Sequence, residues 1–149
     1  MADRESAPIC RAYRPGDREE LVALWELCEL TRPWNDPYRD IDRKQDRDAD
    51  NLLVLEENGR LIGSVMFGYD GHRGSVNYLA VHPEQRQRGL GRMLMATAEE
   101  RLTALGCPKV NLQVRGSNKA TVEFYRRVGY IEDDVLSLGR RLIPDKPIE

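Results

Sequence analysis

Apolar and polar positions change rhythm several times along this chain, and each change marks a predicted element. Residues 9–13 form a short run that reads as an edge strand and is broken by Pro15-Gly16. Leu21, Leu24, Trp25 and Cys28 then recur at i, i+3, i+4 and i+7, one face of a helix. Asp17, with Glu20 three residues on, supplies an N-cap and a capping box for it. Residues 31–37, TRPWNDP, hold two prolines and form a loop, and the polar stretch 38–50 is a short surface helix.

Residues 52–55 and 61–69 are apolar runs joined through Asn58-Gly59, a strong hairpin signal because both residues tolerate positive φ. A second turn at 70–74 leads to a third strand, 75–81, so the middle of the chain is an antiparallel meander. The period then becomes helical: Leu90, Met93, Leu94, Ala98, Leu102 and Leu105 trace one face that ends at Gly106. Val110, Leu112 and Val114 alternate as a strand. Ser117 or Asn118 caps a last helix carrying Phe124 and Tyr125, which stops at Gly129. Residues 130–143 are expected to add one or two final strands. The sum is an α+β order, β-α-α-β-β-β-α-β-α-β, in one domain over residues 1–149.

Composition narrows the class without changing that picture. The 149 residues are 40% hydrophobic and 32% charged with net charge −2, which argues against nucleic acid or a membrane surface as partner. Cys10, Cys28 and Cys107 are odd in number and form no CxxC pair. His72 and His82 show no ligand spacing with them, so neither a disulfide framework nor a metal is expected. The first residues, MADRESAP, lack the apolar run of a secretory signal, and no stretch is apolar enough to span a membrane. A reducing, cytoplasmic setting follows as the expectation.

Locally the charge is uneven, and there the chemistry lies. Arg86, Gln87, Arg88, Gly89, Leu90, Gly91 and Arg92 link a strand end to a helix start. The first amides of a helix lack intrahelical partners and carry the positive end of its dipole, so they suit a phosphate or pyrophosphate. Gly89 and Gly91 would let that phosphate approach the backbone, and the three arginines would add charge-assisted contacts. A dinucleotide fold fails here, because Leu94 replaces the third glycine and the preceding strand ends an antiparallel meander. A Walker loop fails for want of Gly-Lys-Ser/Thr.

The stretch Arg86-Gln-Arg-Gly89-Leu-Gly91 resembles the R/Q-x-x-G-x-G/A signature of the GNAT N-acetyltransferases. Leu79-Ala80-Val81-His82-Pro83 is similar to that family's L-x-V-x-P strand end. Asn118-x-x-Thr-x-x-Phe124-Tyr125-x-x-x-Gly129-Tyr130 is similar to its N-x-x-A-x-x-F/L-Y-x-x-x-G-F/Y block. Arg32–Pro37 and Tyr69–Gly74 further resemble its small bacterial YpeA-type branch. The resemblance implies the GNAT fold: a mixed, mostly antiparallel sheet with a central meander, about four flanking helices, and strands splayed at an acyl-CoA cleft.

It also implies a chemistry, in which an amine attacks the thioester of acetyl-CoA directly in a ternary complex. Backbone groups of Leu79, Ala80 and Val81 would pair with the pantetheine arm and face the thioester oxygen, a preorganised donor of that kind being worth ~3 kcal/mol. Residues 86–92 would cradle the pyrophosphate, and Asn118 would meet the pantetheine or cap its own helix. Tyr125 matches the family's general acid, donating to the departing sulfur. A lysine-like amine must first lose a proton, at a cost of roughly 4–5 kcal/mol at pH 7. No base is evident. Relatives that acetylate ribosomal protein N-termini carry a glutamate in L-E-V-R, where this chain reads Leu112-Gln113-Val114-Arg115, and an amide takes no proton. Asp70, His72, Asp36 and Glu26 are the titratable alternatives, beside a water relay.

The partners expected are therefore acetyl-CoA and an amine acceptor, small molecule or protein N-terminus or lysine, that the sequence does not identify. Monomer and homodimer are both open, since Val135, Leu136, Leu138, Leu142 and Ile143 serve either a dimer edge or the core. A non-catalytic acyl-CoA-binding domain is the competing reading.

Overall fold

The computed structural model describes residues 7–145; the first residues of the N-terminal stretch lie outside them. Among these residues five strands and four helices follow in the order β1 (Ile9–Ala12), α1 (Arg18–Leu27), α2 (Pro37–Asp48), β2 (Leu52–Glu57), β3 (Arg60–Tyr69), β4 (Gly74–Val81), α3 (Leu90–Ala104), β5 (Val110–Asn111) and α4 (Lys119–Arg127). The sheet runs β1-β2-β3-β4-β5, with every pair antiparallel except β4–β5. Asn58 and Gly59 both sit at positive φ, the backbone a two-residue hairpin between Glu57 and Arg60 requires.

Each face of the sheet has its own core. Leu52 and Val54 point to α1 and α2, where Leu21, Leu24, Trp25 and Ile41 are buried. Leu53 and Leu55 point to α3, where Leu90, Leu94, Met95, Ala98 and Leu102 are buried. The unbroken apolar run of β2 thus reflects a central strand covered on both faces. On α3 the buried stripe takes Met95, whereas the expected Met93 and Leu105 are 36% and 55% exposed.

The start of α1 is built differently from the expected capping box. Glu20 reaches the sheet, its Oε2 accepting from Leu61 N at 2.8 Å. Asp17 turns back instead, accepting from Arg14 N at 2.8 Å and from both Arg11 Nη atoms at 2.8 and 2.9 Å. Arg11 in turn donates to Glu56 on β2, so this network fastens the first turn to the edge of the sheet.

Two departures shape the far side of the molecule. The alternating residues 110–114 form a ladder only at Val110 and Asn111, where β5 pairs with Gly74 and Ser75 and then diverges. Residues 130–143 contain no strand. Polar side chains hold this segment: Asp133 bonds Lys109 and Asn111, Ser137 bonds Gln113, and Arg141 bonds Asn35. With no backbone ladder to orient them, Val135, Leu136, Leu138 and Leu142 face outward, 77–92% exposed, and do not complete the core.

In β4 one extra residue interrupts the pairing with β3. Ser64 lies opposite Ala80 and Met66 opposite Asn77, so two steps of β3 span three of β4. Tyr78, at φ 50°, absorbs the excess. The fully buried Ser64 hydroxyl donates to Tyr78 O at 2.8 Å and accepts from Trp25 Nε1 at 2.9 Å, while the Trp25 and Tyr78 rings stack at 3.7 Å and 13°.

Ser64→Ala strips a partner from both Trp25 Nε1 and Tyr78 O and is expected to cost about 1–3 kcal/mol, read from urea unfolding. Asp17→Asn is expected to cost a similar ~1–3 kcal/mol. The Arg11 hydrogen bonds hold the Asp17 carboxyl below the usual carboxylate range. Its contribution is therefore complete above about pH 5 and is lost as the pH falls through the folded value. Unfolding midpoints measured between pH 7 and pH 3 should converge for wild type and Asp17→Asn at the acid end.

Candidate active site

Because β5 leaves β4 after Ser75, the outer edge of β4 from Val76 onward has no strand partner among the described residues. The bulge falls within this open edge. It also resets which way the side chains face: Leu79 and Val81 pack with the α3 cluster, whereas Tyr78 and Ala80 pack with the α1–α2 cluster. The splayed strands that the resemblance implied are present, and the bulge lies beside them, with Leu79, Ala80 and Val81 along the edge.

The edge runs into a 3-10 turn, Pro83–Gln85, where His82 Nδ1 accepts from Glu84 N. The loop to α3 then takes Gln87 and Gly89 through positive φ, 67° and 76°. Helix α3 runs fifteen residues from Leu90, and Met93 N is the first amide bonded back, to Gly89 O at 3.1 Å. The amides of Leu90, Gly91 and Arg92 precede it and have no carbonyl within the helix to meet.

The arginines of this turn act largely as braces. Arg88 pairs with Glu57 through two bonds of 2.9 and 2.7 Å, holding the Glu57 carboxyl below its usual range. Arg86 Nε donates to Val81 O at 3.3 Å, and Arg92 Nη2 to Arg127 O at 3.4 Å. Gly91 also has a reason in packing. A Cβ there would stand 3.2 Å from Phe124 Cε1 and Cζ, so this glycine lets α4 settle on the first turn of α3. Only Gly89 is called for by its own backbone.

Asn118 caps α4, its Oδ1 accepting from Thr121 N at 3.3 Å. Tyr125 follows on the inner face, edge-on to Phe124 and Tyr130 at 5.2 and 5.7 Å. Burial pushes its phenol up to about 12, and the hydroxyl bonds to no described residue. A cleft of about 1500 Å³ opens between β5, α4 and residues 131–137. Tyr125 and Gln113 line it, whereas Leu79–Val81 and Arg86–Arg92 do not. What joins α4 to the start of α3 is the Phe124–Gly91 contact together with the Arg92–Arg127 hydrogen bond.

Two of the other titratable candidates, Asp70 and Asp36, have structural work. Asp70 Oδ1 accepts from the amides of His72 and Arg73, making the β3–β4 turn. Asp36 caps α2 through Tyr38 N. Trp34 is 56% exposed beneath Arg115. A further group was not singled out by spacing. Tyr78 Oη donates to Asp40 Oδ2 at 2.7 Å and accepts from Asn35 Nδ2 at 3.1 Å, joining the loop before α2 to the bulge. Tyr78 lay in plain view beside the strand motif, but only the bulge turns its ring toward α2. Among the described residues no group of three or more His, Cys, Asp or Glu is arranged to hold a metal ion, and no helix is long and apolar enough to cross a membrane.

Comparison with known proteins agrees with this geometry. Solved structures of the same fold include an aminoglycoside N-acetyltransferase, AAC(6')-Iy, in complex with CoA (TM-score 0.75, 19% identity, 96% of this chain and 100% of that one). Another is Naa20 of Chaetomium thermophilum in complex with a bisubstrate analogue (TM-score 0.68, 23% identity, 81% of this chain and 70% of that one). Acetyltransferase SG1711 of Sodalis glossinidius is 51% identical over 137 residues, 91% of this chain and 96% of its own length. The model of the acetyltransferase (GNAT) family matches residues 19–130. The chain belongs to the GNAT family of acetyltransferases.

Proposed function

We propose that this protein transfers the acetyl group of acetyl-CoA to a primary amine by direct attack within a ternary complex. The observation that carries the reading is the open, bulged edge of β4 leading directly into the unpaired first amides of α3. An acyl-pantetheine arm needs such an edge for its amides, and a pyrophosphate needs such a helix start. The relatives support it: AAC(6')-Iy is described with CoA and with the bisubstrate analogue CoA-S-monomethyl-acetylneamine. Another neighbour is a glucosamine-6-phosphate N-acetyltransferase of Arabidopsis thaliana.

In this reading the backbone of Leu79, Ala80 and Val81 holds the arm and polarises the thioester carbonyl. The amides from Gly89 to Arg92 take the pyrophosphate, with Arg86 and Arg92 contributing field and Gln87 shaping the loop. Arg88 keeps the loop on the β2–β3 hairpin. Tyr125 protonates the departing sulfur. Burial raises its phenol and so weakens it as an acid, and its use rests on position: the hydroxyl bonds to no described residue and is available to the sulfur.

The direct test follows release of CoA thiol from acetyl-CoA across a panel of small amines, lysine peptides and peptide N-termini, with acetyl-CoA binding measured by calorimetry. Saturable binding and thiol release with at least one amine are expected; absence of binding would end the reading. Tyr125→Phe should lower kcat on the order of 10²-fold and leave acetyl-CoA affinity unchanged. Gly89→Ala and Gly91→Ala should part company. The former strains a left-handed residue at about 1 kcal/mol and weakens CoA binding alone. The latter pushes Phe124 and α4 aside, so kcat should fall along with affinity.

A further inference from the structure

Tyr78 occupies an unusual place for a residue the cofactor does not need. Its backbone is the extra residue of the bulge, within the open edge where the proposed thioester lies. Its ring lies against Trp25 on the α1–α2 side, the face opposite Tyr125 and the α3–α4 cluster. Its hydroxyl is bonded with a defined polarity. The proton points to Asp40 Oδ2 at 2.7 Å, and one lone pair accepts from Asn35 Nδ2 at 3.1 Å. A phenol oxygen with its donor directed at a carboxylate keeps acceptor capacity for one more N–H.

We propose that the Tyr78 hydroxyl receives the acceptor amine and passes its proton to Asp40, so that Tyr78 and Asp40 are the proton exit that the sequence motifs leave unassigned. The inference rests on the acetyl-transfer reading above. A neutral amine, one N–H bonded to Tyr78 Oη, attacks the thioester carbon. As the C–N bond forms, the nitrogen becomes acidic. Its proton goes to Tyr78 Oη while the proton already on Oη goes to Asp40 Oδ2. The C–S bond breaks, and the sulfur takes the proton of Tyr125. Asp40 then loses its proton to water and the Tyr125 phenolate regains one from water, leaving amide and free CoA thiol in balance.

The surroundings fit a relay. Asp40 Oδ1 is held by Arg43 Nη2 at 3.0 Å, which fixes Oδ2 toward Tyr78 and Asn35. The carboxylate side chain is 24% exposed, so a proton arriving there has a route to solvent. The charged groups facing the pair are Asp36 and Arg43 around α2, and Arg141 and Asp145 from the C-terminal segment. Asp145 accepts from Asp36 N and Arg43, and Arg141 donates to Asn35. Burial, and then the hydrogen bond to Asp40, raise the Tyr78 phenol, so it relays protons as a neutral hydroxyl. Asp40 acts through Tyr78 and is a positioning and proton-accepting residue, while Tyr78 touches the substrate.

The test compares wild type, Tyr78→Phe and Asp40→Asn in thiol-release kinetics from pH 5.5 to 9.5 with the amine that turns over best, alongside acetyl-CoA calorimetry. Tyr78→Phe keeps the ring stack on Trp25 and is expected to lower kcat on the order of 10²-fold with unchanged acetyl-CoA affinity. Asp40→Asn should lower kcat similarly and change the shape of its pH profile. Wild-type kcat in Tyr78→Phe, or a loss confined to acetyl-CoA affinity with an unmoved pH profile, overturns the assignment and leaves the transfer reading standing. A wild-type protein that neither binds acetyl-CoA nor releases thiol overturns both.

Discussion

The extra residue at Tyr78 is held in place by a chain of contacts that runs from α1 through β3. Trp25 donates to Ser64, Ser64 donates to the Tyr78 carbonyl, and the Trp25 ring stacks on the Tyr78 ring. A tyrosine at φ 50° carries a backbone penalty of roughly 1–3 kcal/mol, and an isolated strand would relax it. Here relaxation would unstack two rings and orphan two buried polar atoms, which costs more. The bulge therefore persists, and everything around the site depends on it. It leaves Leu79 and Val81 on the α3 side and Ala80 on the other, and it opens the β4 edge where β5 departs. A packing interaction on one face of the sheet thus sets the backbone geometry presented at its edge.

The phosphate turn follows the same division between scaffold and working group. Three arginines in seven residues suggested side-chain contacts to an anion, yet Arg88 holds Glu57 and Arg92 reaches the C-terminal end of α4. Those bonds fix where the first turn of α3 stands relative to the hairpin and to α4. The groups left facing outward are backbone amides, whose direction the helix sets and which need no side-chain ordering on binding. Gly91 serves this arrangement by admitting Phe124, which brings Tyr125 to its place beside the cleft.

Much of the fold was legible because period and punctuation are local properties. The Asn58-Gly59 hairpin, the helical face of Leu21, Leu24 and Trp25, and the cap at Asn118 all follow from residues close in sequence. Where reading along the chain failed, a distant partner had won. Glu20 serves Leu61 across the sheet, and Asp17 serves Arg11 and Arg14. Val110, Leu112 and Val114 alternate like a strand, but a ladder needs a neighbour, and β4 has bulged and turned away. The apolar residues after Tyr130 have the composition of strands and the same lack of a partner. For the site, motif spacing singled out the turn before α3 and Tyr125. It passed over Asp40 and Asn35, because their tie to Tyr78 depends on a ring direction that only the bulge creates.

That difference has a physical root. Cofactor binding by backbone requires a particular strand-loop-helix geometry, and geometry of that kind leaves glycines and a fixed spacing in the sequence. In the proposed relay, by contrast, the side chains around Tyr78 come together from the loop before α2, from α2 itself and from the C-terminal segment, with no spacing among them to read. The polar tie Asn35–Arg141 and the Asp36–Asp145–Arg43 contacts bind that segment over the α2 loop. The C-terminal segment is thereby tied to the residues around Tyr78 even though it adds no strand. Changes in its residues would alter the shape around Tyr78 while leaving the cofactor edge of β4 untouched. One scaffold can then keep its acyl chemistry and exchange its acceptor, provided Trp25, Ser64 and Tyr78 keep the bulge between them.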